Sequence, residues 1–204
     1  VLGGTGLVIG IAVRPGNPTE TAGHLVAGEG ENLLHIYLKI DAENRATAIV
    51  PHSEMGQGAQ TALTQMLAEE LDADWDLMSF EEAPADGAYA NNALGRAYLF
   101  KGINFPDSVV PTGDGLMLNV ADAIGMQVTG GSLSIRATGQ YFLRAAGASV
   151  REMLVKTASK AWGVPESEIR TAKSVLHHDG SGRSAPYSEF AAAAAEMTPS
   201  STPK

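Results

Sequence analysis

The hydrophobic positions of the first half of the chain alternate in some stretches and recur every three to four residues in another. Residues 33–40 alternate and are followed by a polar turn and by residues 45–50, which predicts a β-hairpin. Residues 60–71 carry apolar side chains at helical spacing, so they predict a helix with one buried face. Residues 77–82 predict a further strand.

The second half predicts one long helix, a small hairpin and a short helix. Downstream of Thr129, one helical face collects the apolar side chains Phe142, Ala145, Ala146, Val150, Met153, Leu154 and Ala161. Thr129 or Ser132 is suited to cap the start of this helix. Residues 166–170 read as a link, 172–178 and 183–187 as a hairpin, and 188–197 as a helix. The elements together predict an α+β fold, a mixed sheet with packed helices.

Three stretches show no such regularity. Residues 83–128 lack sustained periodicity apart from a short helix expected within 114–124, and a loop of this length is usually functional or packed on a partner. Residues 1–13 are uncharged and shorter than the ~20 residues that span a bilayer. They match the apolar core of an export signal, with a buried segment second and a phosphate loop third. The predicted division is 1–32 as N-terminal segment, 33–197 as the main segment and 198–204 as a linker tail.

Composition narrows the class of protein. The 204 residues, of which 44% are hydrophobic, are enough to bury the core of one domain. The formal net charge of −9 argues against nucleic acid or an anionic membrane surface as a partner. The chain has no cysteine, so it can hold neither a disulfide nor an iron–sulfur cluster of its own.

The clusters of acidic and histidine side chains do not predict a metal site. Residues 72–76 contain three aspartates but lack the ligand series of a calcium loop, so a solvated turn is favoured. His177 and His178 are neighbours on a strand and therefore point to opposite faces. His52 and Glu54 are candidates for acid–base groups, but a polar rim around a turn is the favoured interpretation.

The first motif is a strand-to-helix turn at residues 51–61. Gly56 and Gly58 flank Gln57, and glycine allows both a sharp bend and the close approach of a ligand to the backbone. Gln57 offers a donor and an acceptor, and the start of the following helix favours an anion or an oxo group. The alternative is a glycine-rich turn with a solvated glutamine.

The second motif spans residues 129–136, with the sequence TGGSLSIR, and opens the long helix. A Gly-Gly turn followed by hydroxyl side chains at a helix start is physically an anion cradle, because backbone N–H groups and the helix dipole converge there. The alternative is a capped helix that binds nothing.

In their order and distance, the two motifs resemble those of the molybdopterin-binding large subunit of the xanthine dehydrogenase/aldehyde oxidoreductase family. The branch most similar is that of the isoquinoline 1-oxidoreductase beta subunit and related periplasmic aldehyde dehydrogenases. The matching text is EMGQG at residues 54–58 with AEEL at 68–71, then residues 129–136 running into RAAGA at 144–148. The resemblance covers residues 33–204 and corresponds to an N-terminal segment of the family's longer chain.

The resemblance implies which residues hold the cofactor. The first motif would pack on the molybdopterin near the metal through Met55, Gly56, Gln57 and Gly58. The second would hold its pterin and phosphate end through Thr129, Gly130, Gly131, Ser132 and Ser134. The family's base is a glutamate in a later part of the chain, and its glycine–phenylalanine loop is also missing here. Glu54 does not match that position, so this chain is expected to contribute no catalytic residue and no metal ligand.

The resemblance to this family also implies a function for the chain. The chain would be the cofactor-binding segment of a molybdenum hydroxylase that oxidises aldehydes to carboxylic acids, or hydroxylates N-heterocycles, with water as the oxygen source. The molybdopterin would be present either as such or in its cytosine dinucleotide form. Expected partners are the remainder of the molybdopterin-binding subunit, a [2Fe-2S] subunit and, as a further candidate, a cytochrome c subunit. The expected location is the periplasm, at the inner membrane. The alternatives are a non-catalytic scaffold or assembly subunit and a small autonomous module for a phosphorylated ligand.

Overall fold

A computed structural model describes residues 22–91, 120–121, 123–200 and 203, and for Leu133 and Tyr141 it describes the backbone alone. The predicted export-signal core therefore lies outside the described residues, as does most of the short helix expected within 114–124. Residues 120, 121 and 123 are helical. Among the described residues, no helix has both the length and the apolar character that crossing a bilayer requires.

Four strands form a mixed sheet in chain order: β1 (Glu31–His35), β2 (Leu38–Asp41), β3 (Ala46–Val50) and β4 (Met78–Glu82). The pairs β1–β2 and β2–β3 are antiparallel, whereas β3 and β4 are parallel. A parallel pair requires a crossover, and helix α1 (Ala59–Leu71) provides it. Every residue of β3 is buried, so the turn that leaves β3 starts from the interior of the molecule.

The second half is built on one long helical run. It consists of α2 (Gly131–Thr138), a π-helical turn (Gly139–Leu143) and α3 (Arg144–Trp162). A three-stranded antiparallel sheet follows, made of β5 (Ile169–Ala172), β6 (Val175–His178) and β7 (Arg183–Pro186), and then helix α4 (Tyr187–Ala195). The predicted α+β fold with a mixed sheet and packed helices is confirmed.

The two halves share one core because α1 packs closely on the long helical run. At Gly147 a side chain would overlap the carbonyl oxygen of Leu67, and at Gly139 it would meet Met66. The buried face of α1 contains Leu63, Leu67 and Leu71, as the helical spacing predicts. On α3 the predicted face is correct except at its end, where Ala161 is exposed and Ala158 is buried instead.

The prediction of one strand over residues 33–40 is wrong, because β1 and β2 are separated by a tight turn at Ile36 and Tyr37. Tertiary contacts replace the usual turn residues. The Tyr89 hydroxyl donates to the Ile36 carbonyl oxygen at 3.0 Å, and the Ile49 N–H donates to that of Tyr37 at 2.9 Å. Both turn side chains are apolar and buried like those of the neighbouring strand residues, so hydrophobicity does not distinguish the turn from the strands.

The prediction of one strand over residues 172–178 fails in the same way. Lys173 and Ser174 adopt left-handed φ values of 49° and 59° and turn the chain from β5 into β6. The predicted link at 166–170 accordingly contains the first residues of β5. The buried Ser174 is held from several sides: its N–H donates to the Asp72 carbonyl oxygen at 2.9 Å, and its hydroxyl accepts from the Asp74 N–H at 2.9 Å.

Candidate cofactor-binding site

The first glycine turn connects the buried strand β3 to the start of α1. Gly56 and Gly58 adopt φ values of 87° and 71°, in the left-handed region where glycine is favoured. Beside both Cα atoms there is open space within 4 Å of where a side chain would begin. A flat group can therefore approach the backbone of this turn closely.

The carboxylate of Glu54 binds the N–H groups of this turn. Its Oε1 accepts from the N–H of Gly58 at 2.9 Å and from that of Gly56 at 2.8 Å. These bonds, that of Gly58 first, hold the pKa of the Glu54 carboxyl below its usual value. The sequence predicted an anion at this helix start, and the chain provides one itself.

The side chain of Gln57 also closes onto the turn. Its Oε1 accepts from the Met55 N–H at 2.5 Å, and its Nε2 donates to the Ser53 carbonyl oxygen at 2.9 Å. The side chain of Met55, in contrast, is 62% exposed. The turn thus presents Met55 and the two glycines to its surroundings, while its amide and carboxylate groups stabilise its shape.

His52 is buried, with 1% of its surface exposed, so the prediction of a polar rim is wrong for this residue. Its Nε2 lies 2.7 Å from the Thr138 hydroxyl and its Nδ1 lies 3.3 Å from that of Thr129. Burial lowers the pKa of His52 to about 4, against a smaller opposing effect of a backbone hydrogen bond at Val128. The imidazole is therefore neutral at physiological pH.

The second glycine turn is tied to the first by Thr129. The Thr129 hydroxyl accepts from the Ser53 N–H at 3.0 Å across 76 positions of sequence. The prediction that Thr129 or Ser132 caps the helix is wrong: the capping position belongs to Gly130, and no side chain makes a capping hydrogen bond there. Thr129 does not cap because its hydroxyl is already bonded to the first turn.

The start of α2 contains the other predicted residues of this motif. Ser134 is buried, and its hydroxyl accepts from the Gly130 N–H at 2.7 Å. Ser132 is exposed, and Gly131 has a φ of 53° with open space beside its Cα. The first N–H groups of a helix have no carbonyl partner within it, so those of Gly131 and Ser132 point outward together with the positive end of the helix dipole.

A cavity of about 350 Å³ lies beside the Ser53–Thr129 contact, and of the nine predicted cofactor-binding residues only Thr129 lines it. It is lined by Pro51, His52, Ser53, Glu82, Ala83, Ala85, Asp86, Gly87, Gly125, Gln127 and Thr129. Within the described part of the chain, the buried Oε1 of Gln127 has no hydrogen-bond partner. The Ser53 hydroxyl donates to a Glu82 carboxylate oxygen at 2.5 Å, which fixes one wall.

These features fit a phosphate-bearing pterin in one orientation. The start of α2 has outward N–H groups, an exposed hydroxyl and no carboxylate bonded to it in the described residues, which suits a phosphate. In the first turn the N–H groups of Gly56 and Gly58 are already bonded to the Glu54 carboxylate, so this turn suits an uncharged, flat part of the ligand. No group of three or more histidine, aspartate and glutamate side chains that could hold a metal ion is found in the ranges that the structure describes.

The structure therefore brings the two predicted motifs together and gives roles to residues for which sequence reasoning missed them. His52 and Ser53 make the connection, and Gln127 lines the cavity. A signal existed for His52, because it follows directly on a strand whose every position is buried. Nothing in the sequence around Gln127 marks it.

Comparison with known proteins gives relatives far longer than this chain. No family model matches. The isoquinoline 1-oxidoreductase subunit beta of Brevundimonas diminuta is 35% identical over 160 residues, covering 78% of this chain and 16% of that protein. The membrane-bound aldehyde dehydrogenase [pyrroloquinoline-quinone] of Gluconacetobacter polyoxogenes is 24% identical over 179 residues, covering 87% and 18%.

Among solved structures, that of quinoline 2-oxidoreductase from Pseudomonas putida 86 is similar to 76% of this chain and 15% of its own, with 16% identity and a TM-score of 0.46. The chain thus spans about one sixth of the length of the curated relatives that it matches. Sequence identity and the two motifs agree, and the chain belongs, as a segment, to the molybdopterin-binding subunits of the xanthine dehydrogenase/aldehyde oxidoreductase family, on the branch of isoquinoline 1-oxidoreductase subunit beta.

Proposed function

We propose that this chain holds the molybdopterin of a molybdenum hydroxylase that oxidises aldehydes to carboxylic acids or hydroxylates N-heterocycles. When bound, the cofactor supplies the redox centre at which an oxygen atom from water is added to the substrate carbon. The residues of this chain bind and orient the cofactor. The base that activates the reaction comes from a part of the protein outside this chain.

The observation that carries the proposal is the joining of the two glycine turns. The Ser53 N–H donates to the Thr129 hydroxyl, and His52 bonds to Thr129 and Thr138. These bonds tie the segment that leads into α1 to the entry and the exit of α2. The start of α2, held next to the first turn in this way, is suited to a ligand with an anionic end.

The two turns divide the work. The N–H groups of Gly131 and Ser132 and the Ser132 hydroxyl bind the phosphate end, with Thr129, Gly130 and Ser134 fixing the shape of the turn. Met55, Gly56 and Gly58 pack against the pterin near the metal, because the N–H groups of Gly56 and Gly58 are already bonded to the Glu54 carboxylate. The Gln57 amide, now bonded to Met55 and Ser53, is the group of this turn that can rotate towards the metal.

The remaining features of the whole protein are proposed from its relatives. The printed names of the two curated relatives give an isoquinoline and an aldehyde activity, and the first names a subunit of a larger protein. We propose a partner with a [2Fe-2S] cluster, since this chain has no cysteine that could hold one itself. We propose the cytosine dinucleotide form of the cofactor, a cytochrome c subunit as the next electron carrier, and the periplasmic side of the inner membrane as the location.

A second candidate function is that of a non-catalytic scaffold. It is favoured by one observation: Glu54 and Gln57 satisfy the polar groups of the first turn without any ligand. A scaffold needs a turn that is complete by itself. The name of the Gluconacetobacter relative adds pyrroloquinoline quinone as a cofactor to be assayed beside molybdopterin.

The experiment that separates these functions places a negative charge at the start of α2. Ser132→Asp suits a helix N-terminus and preserves the fold, because an aspartate there is stabilised by the helix dipole. It would repel the phosphate of the cofactor, and Ser132→Asn is its matched neutral control. Loss of the phosphate contact is expected to weaken binding by about 1–3 kcal/mol, or about 5- to 150-fold.

The measurement is the molybdenum and pterin content of the purified complex that contains this chain. The proposal expects both in the wild-type protein, a clear loss in Ser132→Asp and retention in Ser132→Asn. A scaffold predicts that Ser132→Asp assembles with its partners and with an unchanged cofactor content of the complex. That second result would overturn the proposed role of the α2 start.

A further inference from the structure

We propose that His52 is a positioning residue, which holds the two glycine turns at the separation that the cofactor requires. The inference rests on the proposed function and adds to it a residue of the first motif that is not among the predicted cofactor-binding residues. His52 is not proposed to contact the cofactor; it acts through the hydroxyl groups of Thr129 and Thr138, to which it bonds. Its role is to set the distance between the start of α1 and the start of α2.

The imidazole reaches both ends of α2. Nδ1 lies 3.3 Å from the hydroxyl of Thr129, two residues before the helix begins, and Nε2 lies 2.7 Å from that of Thr138, its last residue. One planar ring thus fixes both the entry and the exit of the eight-residue helix whose N–H groups bind the anion. A rotation of α2 would break at least one of these two bonds.

The end of α2 is the point at which the regular α-helical hydrogen bonding of this run is interrupted. Thr138 is followed by the π-helical turn at Gly139–Leu143, and such turns interrupt the regular hydrogen bonding of a helix, frequently at functional sites. Gly139 packs against Met66 of α1, so the turn lies at the contact of the two helices. The His52–Thr138 bond therefore stabilises α2 at the point where its hydrogen-bonding pattern changes.

The environment of His52 keeps the ring in place. Its side chain is 1% exposed and Thr138 is fully buried, so water does not compete for the Nε2 bond. The next residue, Ser53, donates its N–H to Thr129 at 3.0 Å and its hydroxyl to Glu82. The backbone on one side of the ring is β3, buried at every position. The ring is thus held by rigid neighbours, as a spacer must be.

The test uses the purified complex and four variants. His52→Ala removes both bonds. His52→Gln places an amide near the position of Nε2, and His52→Asn places one near the position of Nδ1. Thr138→Val keeps the volume of the partner and removes its hydroxyl. The readouts are the molybdenum and pterin content per folded complex, the rate at which pterin leaves the complex on dialysis, and the Tm.

Tyr187→Phe is the matched control for a merely structural loss. The Tyr187 hydroxyl is buried and donates to the Leu71 carbonyl oxygen at 2.8 Å, at the far end of the 13-residue helix α1. That end is about 20 Å from the first turn, at 1.5 Å per residue. The control therefore removes a buried hydrogen bond from the same core without touching either turn.

The proposal expects His52→Ala and Thr138→Val to lose pterin about tenfold faster than the wild-type protein, the ratio that one buried hydrogen bond supports. His52→Gln should recover most of the retention, while Tyr187→Phe should lower the Tm and keep the wild-type rate. If His52→Ala does not assemble, Thr138→Val and His52→Gln give the same contrast.

Two results would count against the proposal, and they are distinguishable. A wild-type complex with cofactor, together with His52 and Thr138 variants that lose Tm but retain pterin as Tyr187→Phe does, would overturn the positioning role alone. A wild-type complex without molybdenum or pterin would overturn the proposed function, and the positioning role with it.

Discussion

At the scale of single residues, the groups that shape the two turns are mostly bonded to one another. Glu54 accepts from Gly56 and Gly58, Gln57 bridges Met55 and Ser53, and Ser134 accepts from Gly130. Each bond fixes a backbone that would otherwise be free to adopt several conformations, since glycine loses more entropy on folding than any other residue. The turns are therefore preorganised, and a ligand that binds them does not have to order them.

Two histidines predict how stability depends on pH. Burial lowers the pKa of both His35 and His52 to about 4, from about 6.5 in the unfolded chain. The unfolded state therefore binds more protons between these values, and the stabilisation present above pH 6.5 is lost as the pH falls towards 4. For each histidine this amounts to an upper bound of about 3 kcal/mol.

The measurement is the free energy of unfolding by denaturant between pH 4 and pH 7.5. We expect the wild-type curve to fall on acidification and the curve of His52→Gln to fall less, because glutamine does not titrate. His35→Gln serves as the parallel variant outside the site. Equal slopes for the wild-type protein and both variants would show that these histidines are not buried in their neutral form.

Residue-scale prediction from sequence succeeded where the chemistry is local. The strand-to-helix position of the first turn and the presence of a helix start within residues 129–136 follow from spacing and from the residues themselves. The partners of Thr129 and His52 do not, because they lie 76 and 86 positions away along the chain. Its residue type predicted that Thr129 would cap α2, but its hydroxyl instead accepts a hydrogen bond from the distant Ser53 N–H.

At the scale of elements, the contact between α1 and α3 determines how near the two turns lie. Gly147 on α3 allows the helices to approach until backbone meets backbone, since a side chain there would overlap the Leu67 carbonyl oxygen. The π-helical turn that precedes α3 lies on the same side of α1, where Gly139 faces Met66. The distance between the two helices at these glycines therefore affects the separation of the two turns.

Gly147→Ala tests this packing. A methyl group at this position must push the two backbones apart, so we expect a loss of about 1–3 kcal/mol in the free energy of unfolding, although alanine is the better helix former. Gly139→Ala is the matched variant, since the flexible Met66 side chain can move away. Thermal and denaturant unfolding measure both. Equal effects of the two substitutions would contradict a rigid contact at Gly147.

The errors of sequence prediction at this scale share one cause. Residues 33–40 and 172–178 were each expected to form one strand, and each forms two strands joined by a tight turn. Neither turn contains glycine, proline or an Asn-Gly pair, which are the usual signals. Ile36 and Tyr37 are supported by Tyr89 and Ile49, and Ser174 by Asp72 and Asp74. Partners distant in sequence stabilise turns that their own residues do not favour.

At the scale of the whole molecule, the mixed sheet and the three-stranded sheet are joined by a few polar residues. Asn44 has a φ of 66°; its Nδ2 donates to the Ser174 carbonyl oxygen at 3.1 Å and its Oδ1 accepts from the Ser188 N–H at 2.9 Å. Asp72 bonds to Arg151 and Thr171. The acidic residues 72–76, expected to form a solvated turn, thus include a contact between the two halves.

Asn44→Ala and Asn44→Gly test this junction as a pair. Both lose the two side-chain bonds and leave the Ser188 N–H without its partner, at an expected cost of about 1–3 kcal/mol. Glycine adopts the left-handed φ of position 44 without strain, whereas alanine does not. We therefore expect Asn44→Gly to lose less stability than Asn44→Ala, by up to about 1 kcal/mol. The Tm of each variant measures the cost. No loss in either would show that the halves are held together by the apolar core alone.

The α+β class and the mixed sheet could be predicted because they depend on the order and period of the apolar positions. The joining of the halves could not, because Asn44, Asp72 and Ser174 are ordinary turn residues until their partners are known. The family was predicted from two short motifs, and these are the stretches where backbone geometry leaves little choice of residue.

The proposed role of this chain is to bind a molybdopterin through its two glycine turns. The molybdenum and pterin content of the wild-type complex, purified with this chain from its source, tests that role. We expect molybdenum and pterin to copurify with the chain in equal amounts. A folded complex that contains this chain but neither molybdenum nor pterin would contradict it.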